Sequence, residues 1–253
     1  MRSVLSVCAA ALAFAAAPDA GAATLSTSTS TNWAGYAVMR SGVRFSRVSA
    51  AWTVPAVDCS SATTSWSAIW VGLGGYADSS PALEQVGTEA DCDRTGHATY
   101  AAWYELVPDV SRDAGIHVSP GDVIHASVTV HGRQVQLRLA DVTTGKVFKR
   151  LLTARVVDLT SAEWIVEAPS SCSGAGCRIM PLADFGRTRI SEARTRTANG
   201  HVGAISDPAY DTVRIQMSSS AGPGPGFGGA APVATTGALA GGGRAFSVRY
   251  DTA

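Results

Sequence analysis

Val123-Ile-His-Ala-Ser-Val-Thr-Val130 is followed by His131-Gly132-Arg133 and then by Gln134-Val135-Gln-Leu-Arg-Leu139. Apolar and polar residues alternate on both sides of the glycine, which is the period of a β-strand with one buried face. A short glycine-containing connection between two such runs is typical of a β-hairpin. The stretch therefore predicts two adjacent antiparallel strands.

Similar β-rich runs recur along the rest of the chain and are separated by turn-forming residues. They lie at 44–54, 67–73, 99–107, 146–152, 162–166, 178–185, 212–217 and 244–251. Helical periodicity is absent over any window of about a dozen residues, and only 191–199 favours a helical turn or two. Roughly ten to twelve short strands at this spacing predict an all-β fold, an antiparallel β-sandwich.

Two segments depart from this pattern. Residues 26–31 are a Ser/Thr run, which predicts a flexible N-terminus of the mature protein. Residues 218–243 are rich in Gly, Pro and Ala, which predicts a long mobile loop and allows a lid over a groove. Because no linker separates polar blocks, we expect a single domain over residues 24–253.

Residues 1–23 have the pattern of an export signal. A positive end at Arg2 precedes an apolar run over 4–17, and the small residues that follow match a signal-peptidase site. We expect cleavage after Ala22 or Ala23. A transmembrane anchor is the alternative, but about 14 apolar residues are fewer than the roughly 20 that cross a bilayer.

Charge and composition exclude some classes of partner. The chain of 253 residues has 20 Lys and Arg against 20 Asp and Glu, and 16% of its residues are charged. Nucleic-acid binding needs a surplus of clustered cations, so we expect no nucleic-acid partner. No segment after residue 23 is long and apolar enough to span a membrane, so we expect a soluble, secreted monomer that does not bind membranes.

Four of the five cysteines follow the signal peptide: Cys59, Cys92, Cys172 and Cys177. Four cysteines allow three pairings, and an exported chain should oxidise them. The short, glycine-bearing spacing from Cys172 to Cys177 favours a local disulfide, which would leave Cys59 with Cys92. Zinc is the alternative, but C-x-x-C spacing and neighbouring His residues are missing, so we expect no metal site.

Familiar catalytic motifs are missing from the sequence, which has no G-x-S-x-G, no H-E-x-x-H and no complete phosphate loop. Carboxyl and amide side chains instead lie within apolar, tryptophan-containing runs. These runs are Leu83-Glu84-Gln85-Val86-Gly87, Trp103-Tyr104-Glu105 and Ala162-Glu163-Trp164-Ile165-Val166-Glu167. A carboxyl among apolar groups has a raised pKa and can act as a general acid at mildly acidic pH. The alternative is an ordinary strand with a solvent-facing Glu.

Glu163 and Glu167 share one face of the predicted strand, while Trp164 points the other way. Four strand residues span about 13 Å, whereas the two carboxyls of a glycosidase lie about 5 to 9.5 Å apart. These two carboxyls therefore do not form a glycosidase pair. A catalytic pair must be built across strands.

Six ordered motifs resemble those of the glutamic peptidases, also called eqolisins. They are Asn32-Trp33-Ala-Gly35-Tyr36, Trp52-Thr-Val54-Pro55, Ile69-Trp70-Val-Gly72, Leu83-Glu-Gln85-Val-Gly87, Trp103-Tyr104-Glu105 and Ala162-Glu163-Trp164-Ile165-Val-Glu167. The resemblance covers residues 32–185 and continues more weakly to the C-terminus. It implies a jelly-roll-like sandwich of two antiparallel sheets with roughly seven strands each.

The resemblance also implies an activity, the hydrolysis of peptide bonds in acid by a Gln and a Glu on the concave sheet. By motif position this catalytic pair is Gln85 and Glu167. We expect the substrate-binding residues to be Trp33, Trp70, Trp103 and Glu105, and the family's local disulfide resembles Cys172–Cys177.

The expected chemistry is general acid and base catalysis by Glu167 with an amide N–H of Gln85 at the oxyanion, without a cofactor, metal or covalent intermediate. Protein or peptide substrates are the expected partners. About eight residues separate Ala23 from Asn32, which is too few for an inhibitory domain. We therefore expect activity after signal removal alone.

Two other functions stay open from the residues. One is a secreted sandwich that binds carbohydrate or peptide without cleaving it, with Trp33, Trp70 and Trp103 as a stacking platform. The other is a glycosidase that uses Glu105 and Glu167 across strands. Peptide-bond cleavage at acidic pH distinguishes the three functions.

Overall fold

A computed structural model of the chain describes residues 24–173, 176–219 and 232–251, and within them eighteen β-strands are assigned. The predicted signal peptide, residues 1–23, lies outside the described residues. In chain order the strands are β1 (Leu25–Ser30), β2 (Trp33–Met39), β3 (Phe45–Thr53), β4 (Ser65–Gly74), β5 (Leu83–Cys92), β6 (Ala98–Val107), β7 (Arg112–Asp113), β8 (Val123–His131), β9 (Gln134–Asp141), β10 (Val147–Thr153), β11 (Ser161–Glu167), β12 (Ser170–Ser173), β13 (Gly176–Ile179), β14 (Arg187–Thr197), β15 (Val202–Gly203), β16 (Asp211–Ser218), β17 (Pro232–Thr236) and β18 (Phe246–Tyr250).

The hairpin predicted from residues 123–139 is confirmed as β8 and β9. His131 pairs with Gln134, so the turn contains two residues, and Gly132 takes the positive φ of 60° that such a turn requires. Along β9, alternate side chains such as Leu137 are fully buried, while Arg138 is exposed. The apolar residues of the alternating pattern therefore face the core, and the polar residues face solvent.

The strands form one continuous sheet that folds over on itself into two layers. The first layer, which we call the cleft sheet, has the order β16-β2-β11-β4-β5-β6-β7. The second, the outer sheet, has the order β10-β9-β8-β3-β14-β18-β17. The layers join where β16 meets β17 through the pairs at Met217 and Ser218. The predicted all-β sandwich of two antiparallel layers with roughly seven strands each is confirmed, with hydrogen bonding continuous at this one edge; β1 adds a parallel strand beside β16, and β15 pairs with β14.

The hydrophobic core lies between the two layers. Val86 and Trp164 of the cleft sheet and Trp52 and Val128 of the outer sheet belong to the same buried cluster. Because strand residues alternate, the neighbours of these core residues point to the opposite faces of the sandwich. On the cleft sheet that opposite face is concave.

Both disulfides favoured by the cysteine spacing are present. Cys59 is bonded to Cys92, and Cys172 is bonded to Cys177 across the small hairpin of β12 and β13. Among the described residues, no helix is long and apolar enough to cross a membrane. Within the same residues, no group of three or more His, Cys, Asp or Glu is arranged to hold a metal ion.

Two predicted segments are corrected by the structure. Residues 191–199 are not helical, because β14 extends through Thr197. A bulge at Glu192, which has a φ of 54°, shifts the alternation of the strand by one residue and conceals the strand period in the sequence. The predicted strand over 178–185 is also largely wrong, since β13 ends at Ile179.

Two segments predicted to be mobile contain strands. Within 26–31 the chain forms β1, which runs parallel to β16 from Leu25 to Ser30. In 218–243, residues 220–231 lie outside the described residues, but 232–236 form β17 inside the outer sheet. In both cases backbone pairing, which leaves little mark on composition, places the segment in the sheet.

Candidate active site

A cleft of about 740 Å³ lies on the concave face of the cleft sheet. Side chains of β2, β5, β6 and β11 line it, together with the loop after β6 and the start of β12. Its polar and aromatic lining includes Asn32, Trp33, Gln85, Glu89, Trp103, Glu105 and Glu167. The cleft therefore brings together residues that are more than 130 positions apart in the chain.

The alternation of β11 places its carboxyl groups on the concave face. Trp164 and Val166 are fully buried in the core, so Glu163, Ile165 and Glu167 point the other way, as the sequence predicts. Glu167 is the last residue of the strand and is partly exposed, whereas Glu163 is fully buried and does not line the cleft.

The carboxyl group of Glu167 is held at both oxygens. The indole Nε1 of Trp70 donates to its Oε2 at 2.7 Å, and Nδ2 of Asn32 donates to its Oε1 at 3.3 Å. Burial raises the pKa of Glu167 to about 7; hydrogen bonds from Trp70 and Trp33 oppose the rise, and the charge of Glu105 adds to it. Glu167 is thus oriented by two donors and titrates near neutral pH.

Gln85 and Glu105 face each other on neighbouring strands. They are register partners of β5 and β6, and Nε2 of Gln85 donates to Oε2 of Glu105 at 2.6 Å. The Oε1 of Gln85 is buried and has no hydrogen-bond partner among the described residues. Burial raises the pKa of Glu105, although the hydrogen bond from Gln85 opposes this. The amide is therefore fixed at one end and has unused hydrogen-bonding capacity at the other.

The strand register gives the relative placement of the two predicted catalytic residues. Glu167 lies in a row that continues through Ala68 of β4 to Glu89 of β5. Gln85 lies four residues from Glu89 on the same strand and on the same face. Both Gln85 and Glu167 reach the one cleft.

Trp70 occupies the concave face between these two residues. A Cβ on Gly87 would lie 2.6 Å from the Cβ of Trp70, and a Cβ on Gly72 would lie 2.9 Å from its ring. Both distances are too short for real side chains, so only glycine at these positions leaves room for the indole. The two glycines of the Trp-Val-Gly and Gln-Val-Gly motifs therefore make the pocket for Trp70.

The three predicted substrate-binding tryptophans occupy different environments. Trp33 is half-buried, lines the cleft and contacts Trp70 edge-on, with ring centroids 5.0 Å apart. Trp103 also lines the cleft but is 8% exposed. Trp70 is fully buried and does not line the cleft. The prediction that Trp70 contacts substrate does not fit this position, and neither does a stacking platform of three exposed tryptophans, because Trp70 holds Glu167 instead.

The sequence motifs do not predict a functional role for two residues of the cleft, Asn32 and Glu89. Asn32 belongs to one of the six motifs, but the motif alone does not indicate its hydrogen bond to Glu167, because that bond depends on the pairing of β2 with β11. Glu89 could have been found from the period of β5, because Gln85 and Glu89 are four residues apart on one face. Burial raises the pKa of Glu89, and the charge of Asp113 adds to the rise.

Comparisons with known proteins identify the family of the chain. A profile of the Peptidase A4 family matches residues 31–221. The chain is 35% identical over 161 residues to scytalidopepsin B of Scytalidium lignicola, which covers 61% of this chain and 58% of that protein. It is 30% identical over 197 residues to aspergillopepsin-2 of Aspergillus niger, which covers 69% of this chain and 67% of that protein.

The fold resembles a crystal structure of scytalido-glutamic peptidase that was solved with a peptide-based transition state analog. The TM-score is 0.70 at 25% identity, and the match covers 87% of this chain and 98% of that one. The family profile and the aspergillopepsin-2 match each extend over most of the sequence. The resemblance predicted from the ordered motifs is confirmed, and the chain belongs to the Peptidase A4 family.

Proposed function

We propose that the protein is an exported endopeptidase that hydrolyses peptide bonds in mildly acidic solution with Glu167 and Gln85. The observation that supports this proposal is the pairing of a doubly held carboxyl with a partly unsatisfied amide in one cleft. Glu167 would activate water and transfer its proton, and Gln85 would stabilise the oxyanion.

In the first step, Glu167 accepts a proton from a water molecule as the water oxygen bonds to the peptide carbonyl carbon. The carbonyl oxygen becomes an oxyanion, which the second Nε2 hydrogen of Gln85 stabilises while the first is donated to Glu105. In the second step, protonated Glu167 gives its proton to the amide nitrogen as the carbon–nitrogen bond breaks.

The pKa of Glu167 sets the expected pH range. A residue that acts as base and then as acid works best when its pKa lies near the working pH. A pKa of about 7 supports activity in mildly acidic solution rather than in strong acid. Below that pH, each unit reduces the ionised fraction of Glu167 about tenfold.

Peptide substrates are proposed from the family relationship and the cleft. Scytalido-glutamic peptidase, to which the fold is similar, was solved with a peptide-based transition state analog. In the present chain the cleft is lined by apolar and polar groups from several strands, which suits an extended peptide. Trp33, Trp103 and Glu105 are the proposed substrate contacts.

Export is proposed from residues 1–23 and the two disulfides. Expression of the full chain in a secreting host should yield extracellular protein that begins at Ala23 or Thr24, as read by N-terminal sequencing. Retention of residues 1–23 on a membrane-bound product would overturn the assignment of a cleaved signal.

The activity test is digestion of a denatured protein over about pH 3 to 7, with the products identified by mass spectrometry. Glu167→Gln and Gln85→Ala should abolish cleavage, whereas Glu192→Gln, which changes an exposed carboxyl on the outer sheet, should not. Full activity in Glu167→Gln or Gln85→Ala would disprove the catalytic pair. Binding of peptide by the wild type without cleavage at any of these pH values would disprove the peptidase proposal.

A further inference from the structure

The two layers of the sandwich differ in the charged residue types that they contain. Among the described strands of the cleft sheet, Arg112 and Arg214 are the only basic residues, and the other charged side chains are acidic. Among those of the outer sheet, Asp141 and Glu192 are the only acidic residues, and Asp141 is fully buried. A net charge of zero therefore conceals an uneven distribution of acidic and basic residues, with the basic residues concentrated in the outer sheet.

Five cations lie together on the solvent-facing side of the outer sheet, and we call them the cation band. They are Arg47, Arg138, Lys149, Arg194 and Arg196, and all five are exposed. Their strand neighbours, such as Val48 and Leu137, are fully buried in the core, so the five side chains point away from it. The band is thus on the opposite side of the sandwich from the cleft.

The strand register makes the band long and narrow. One row runs Arg194, Ser49, Ser127, Arg138 and Lys149 across β14, β3, β8, β9 and β10. Five strands span about 19 Å across the sheet. Beside this row, Arg196 pairs with Arg47, and Nη1 of Arg47 donates to Oγ1 of Thr129 at 2.9 Å. The band is two strand positions wide, about 7 Å.

The five cations of the band outnumber the one carboxylate beside them, that of Glu192. In the described ranges, no ion pair includes any of its five residues. Burial lowers the pKa of Arg47, and the like charges of Arg138 and Arg196 lower it further. The nearby Glu192 instead lies 3.7 Å from Nδ1 of His125. Five like charges held side by side against a single carboxylate favour an anionic ligand.

A hollow of about 160 Å³ lies inside the band. Arg47, Arg138, Ser49 and Ser127 line it together with His125 and Glu192, so two guanidinium groups and two hydroxyls share this space with one imidazole and one carboxylate. A guanidinium group binds a phosphate or sulfate through two parallel hydrogen bonds. The hollow therefore has the size and donors for one such group.

We propose that the cation band binds a polysaccharide that carries sulfate or phosphate ester groups. Its length across five strands and narrow width suit one linear polymer. The hydroxyl groups of Ser49 and Ser127 lie between the cations, where they can bind the sugar hydroxyls that separate the charged groups of such a polymer. In the described strands from β14 to β10, no Phe, Tyr or Trp side chain points outward for a nucleobase to stack on. Because the band faces away from the cleft, a protein bound in this way keeps its cleft open.

Binding of dextran sulfate at low ionic strength and mildly acidic pH tests the proposal. The wild type should bind dextran sulfate but not neutral dextran. The double variant Arg47→Gln/Arg138→Gln should bind about tenfold more weakly, and the slope of log affinity against log salt should fall by about two because two ionic contacts are lost. Peptide cleavage and thermal unfolding should stay as in the wild type.

Arg94→Gln/Arg178→Gln is the matched control, because it removes two exposed arginines that are outside the outer sheet. It should bind dextran sulfate as the wild type does. An equal loss in this control, or no loss in the band variant, would overturn the proposal. So would tighter binding of the wild type to phosphatidylglycerol vesicles or duplex DNA, since Val147 and Leu151 are exposed beside Lys149. If the double variant fails to fold, Arg138→Gln alone should weaken binding, and wild-type affinity there also overturns the proposal.

Discussion

Nε1 of Trp70 donates a 2.7 Å hydrogen bond to Oε2 of Glu167, and the indole that makes this bond is fully buried. A donor stabilises the ionised carboxylate, so it opposes the rise in pKa that burial causes. Asn32 adds a second donor at the other oxygen. The buried indole therefore decides both where Glu167 points and at which pH it ionises.

Trp70→Phe should move the acid limb of the pH profile to higher pH. Phe keeps most of the ring in its pocket but removes the N–H, so the pKa of Glu167 should rise above about 7. Hydrogen bonds to charged groups contribute about 1.5 to 3 kcal/mol, which corresponds to roughly one to two pKa units. The measurement is kcat/KM for one peptide substrate as a function of pH.

Trp103→Phe is the control for that experiment. Trp103 lines the same cleft, but its Nε1 has no hydrogen-bond partner among the described residues. Its replacement should change KM and leave the position of the acid limb in place. The proposed role of Trp70 is wrong if both variants shift the limb equally.

Glu105→Gln should shift the acid limb in the opposite direction. Glu105 raises the pKa of Glu167 through its charge, and a neutral amide removes that charge. The side-chain oxygen of Gln still accepts the hydrogen bond from Gln85, so the position of the amide is kept. The acid limb of kcat/KM should move to lower pH, and a move to higher pH would contradict the electrostatic link between the two carboxyls.

Local alternation predicted the strands that have one buried face and one exposed face. The hairpin of β8 and β9 is the clearest case, because its apolar residues have a period of two. At Glu192 in β14, a bulge changes the period in the middle of a strand, and a single sequence does not reveal the insertion. For β1, the stabilising contacts are backbone hydrogen bonds to a strand nearly 190 residues away.

For the site as well, local motifs identify the residues, whereas their exposure depends on strands that are distant in the sequence. Motif order pointed to Gln85, Glu105 and Glu167, and the structure brings all three to one cleft. The sequence did not predict that Trp70 is fully buried, since its exposure depends on Gly87 of the neighbouring strand. Exposure is a property of the packed sheets rather than of a motif.

Net charge is the least informative of the sequence quantities. Equal numbers of acidic and basic residues lead to the expectation of no nucleic-acid partner. Strand order then places most of the acidic strand residues in the cleft sheet and most of the basic ones in the outer sheet. Net charge is a sum over the whole chain, so it does not show where the acidic and basic residues lie in the fold.

Gly87→Ala should reduce activity and stability together. A Cβ at this position would meet the carbonyl oxygen of Ile69 and lie 2.6 Å from the Cβ of Trp70, so β4 or the indole must shift. Overpacking of this kind costs about 1 to 3 kcal/mol in the free energy of unfolding. Displacement of Trp70 should also lower kcat/KM by about tenfold or more, since small misplacements are costly at catalytic groups.

Gly237→Ala is the comparison for Gly87→Ala. Gly237 follows β17, and a Cβ there would lie 3.3 Å from the carbonyl oxygen of Ser247, far from the cleft sheet's concave face. Urea unfolding and kcat/KM should both change little. Wild-type activity in Gly87→Ala would show that the glycine is not needed to seat Trp70.

Two buried carboxyls should make the protein most stable in acid. Burial raises the pKa of Glu84 to about 8, with a further contribution from the charge of Asp158, and burial raises the pKa of Glu163 well above its ordinary value. The carboxyl oxygens of Glu84 and Glu163 have no hydrogen-bond partner among the described residues. Hydrogen bonds from Ser80 and Thr160 outweigh burial at Asp158 and lower its pKa, so it is ionised beside them.

The direction in which the free energy of unfolding changes with pH follows from the linkage between proton binding and folding. A carboxyl whose folded pKa is raised from 4.5 to about 8 stabilises the fold fully below the unfolded pKa, and this contribution is lost as pH rises through the folded pKa. Each pKa unit corresponds to about 1.4 kcal/mol, so Glu84 alone accounts for about 5 kcal/mol over this window. The free energy of unfolding in urea should therefore fall between about pH 4.5 and 8, and Glu84→Gln should flatten the fall while Glu192→Gln leaves it unchanged. An equally steep fall in Glu84→Gln would assign the pH dependence to other groups.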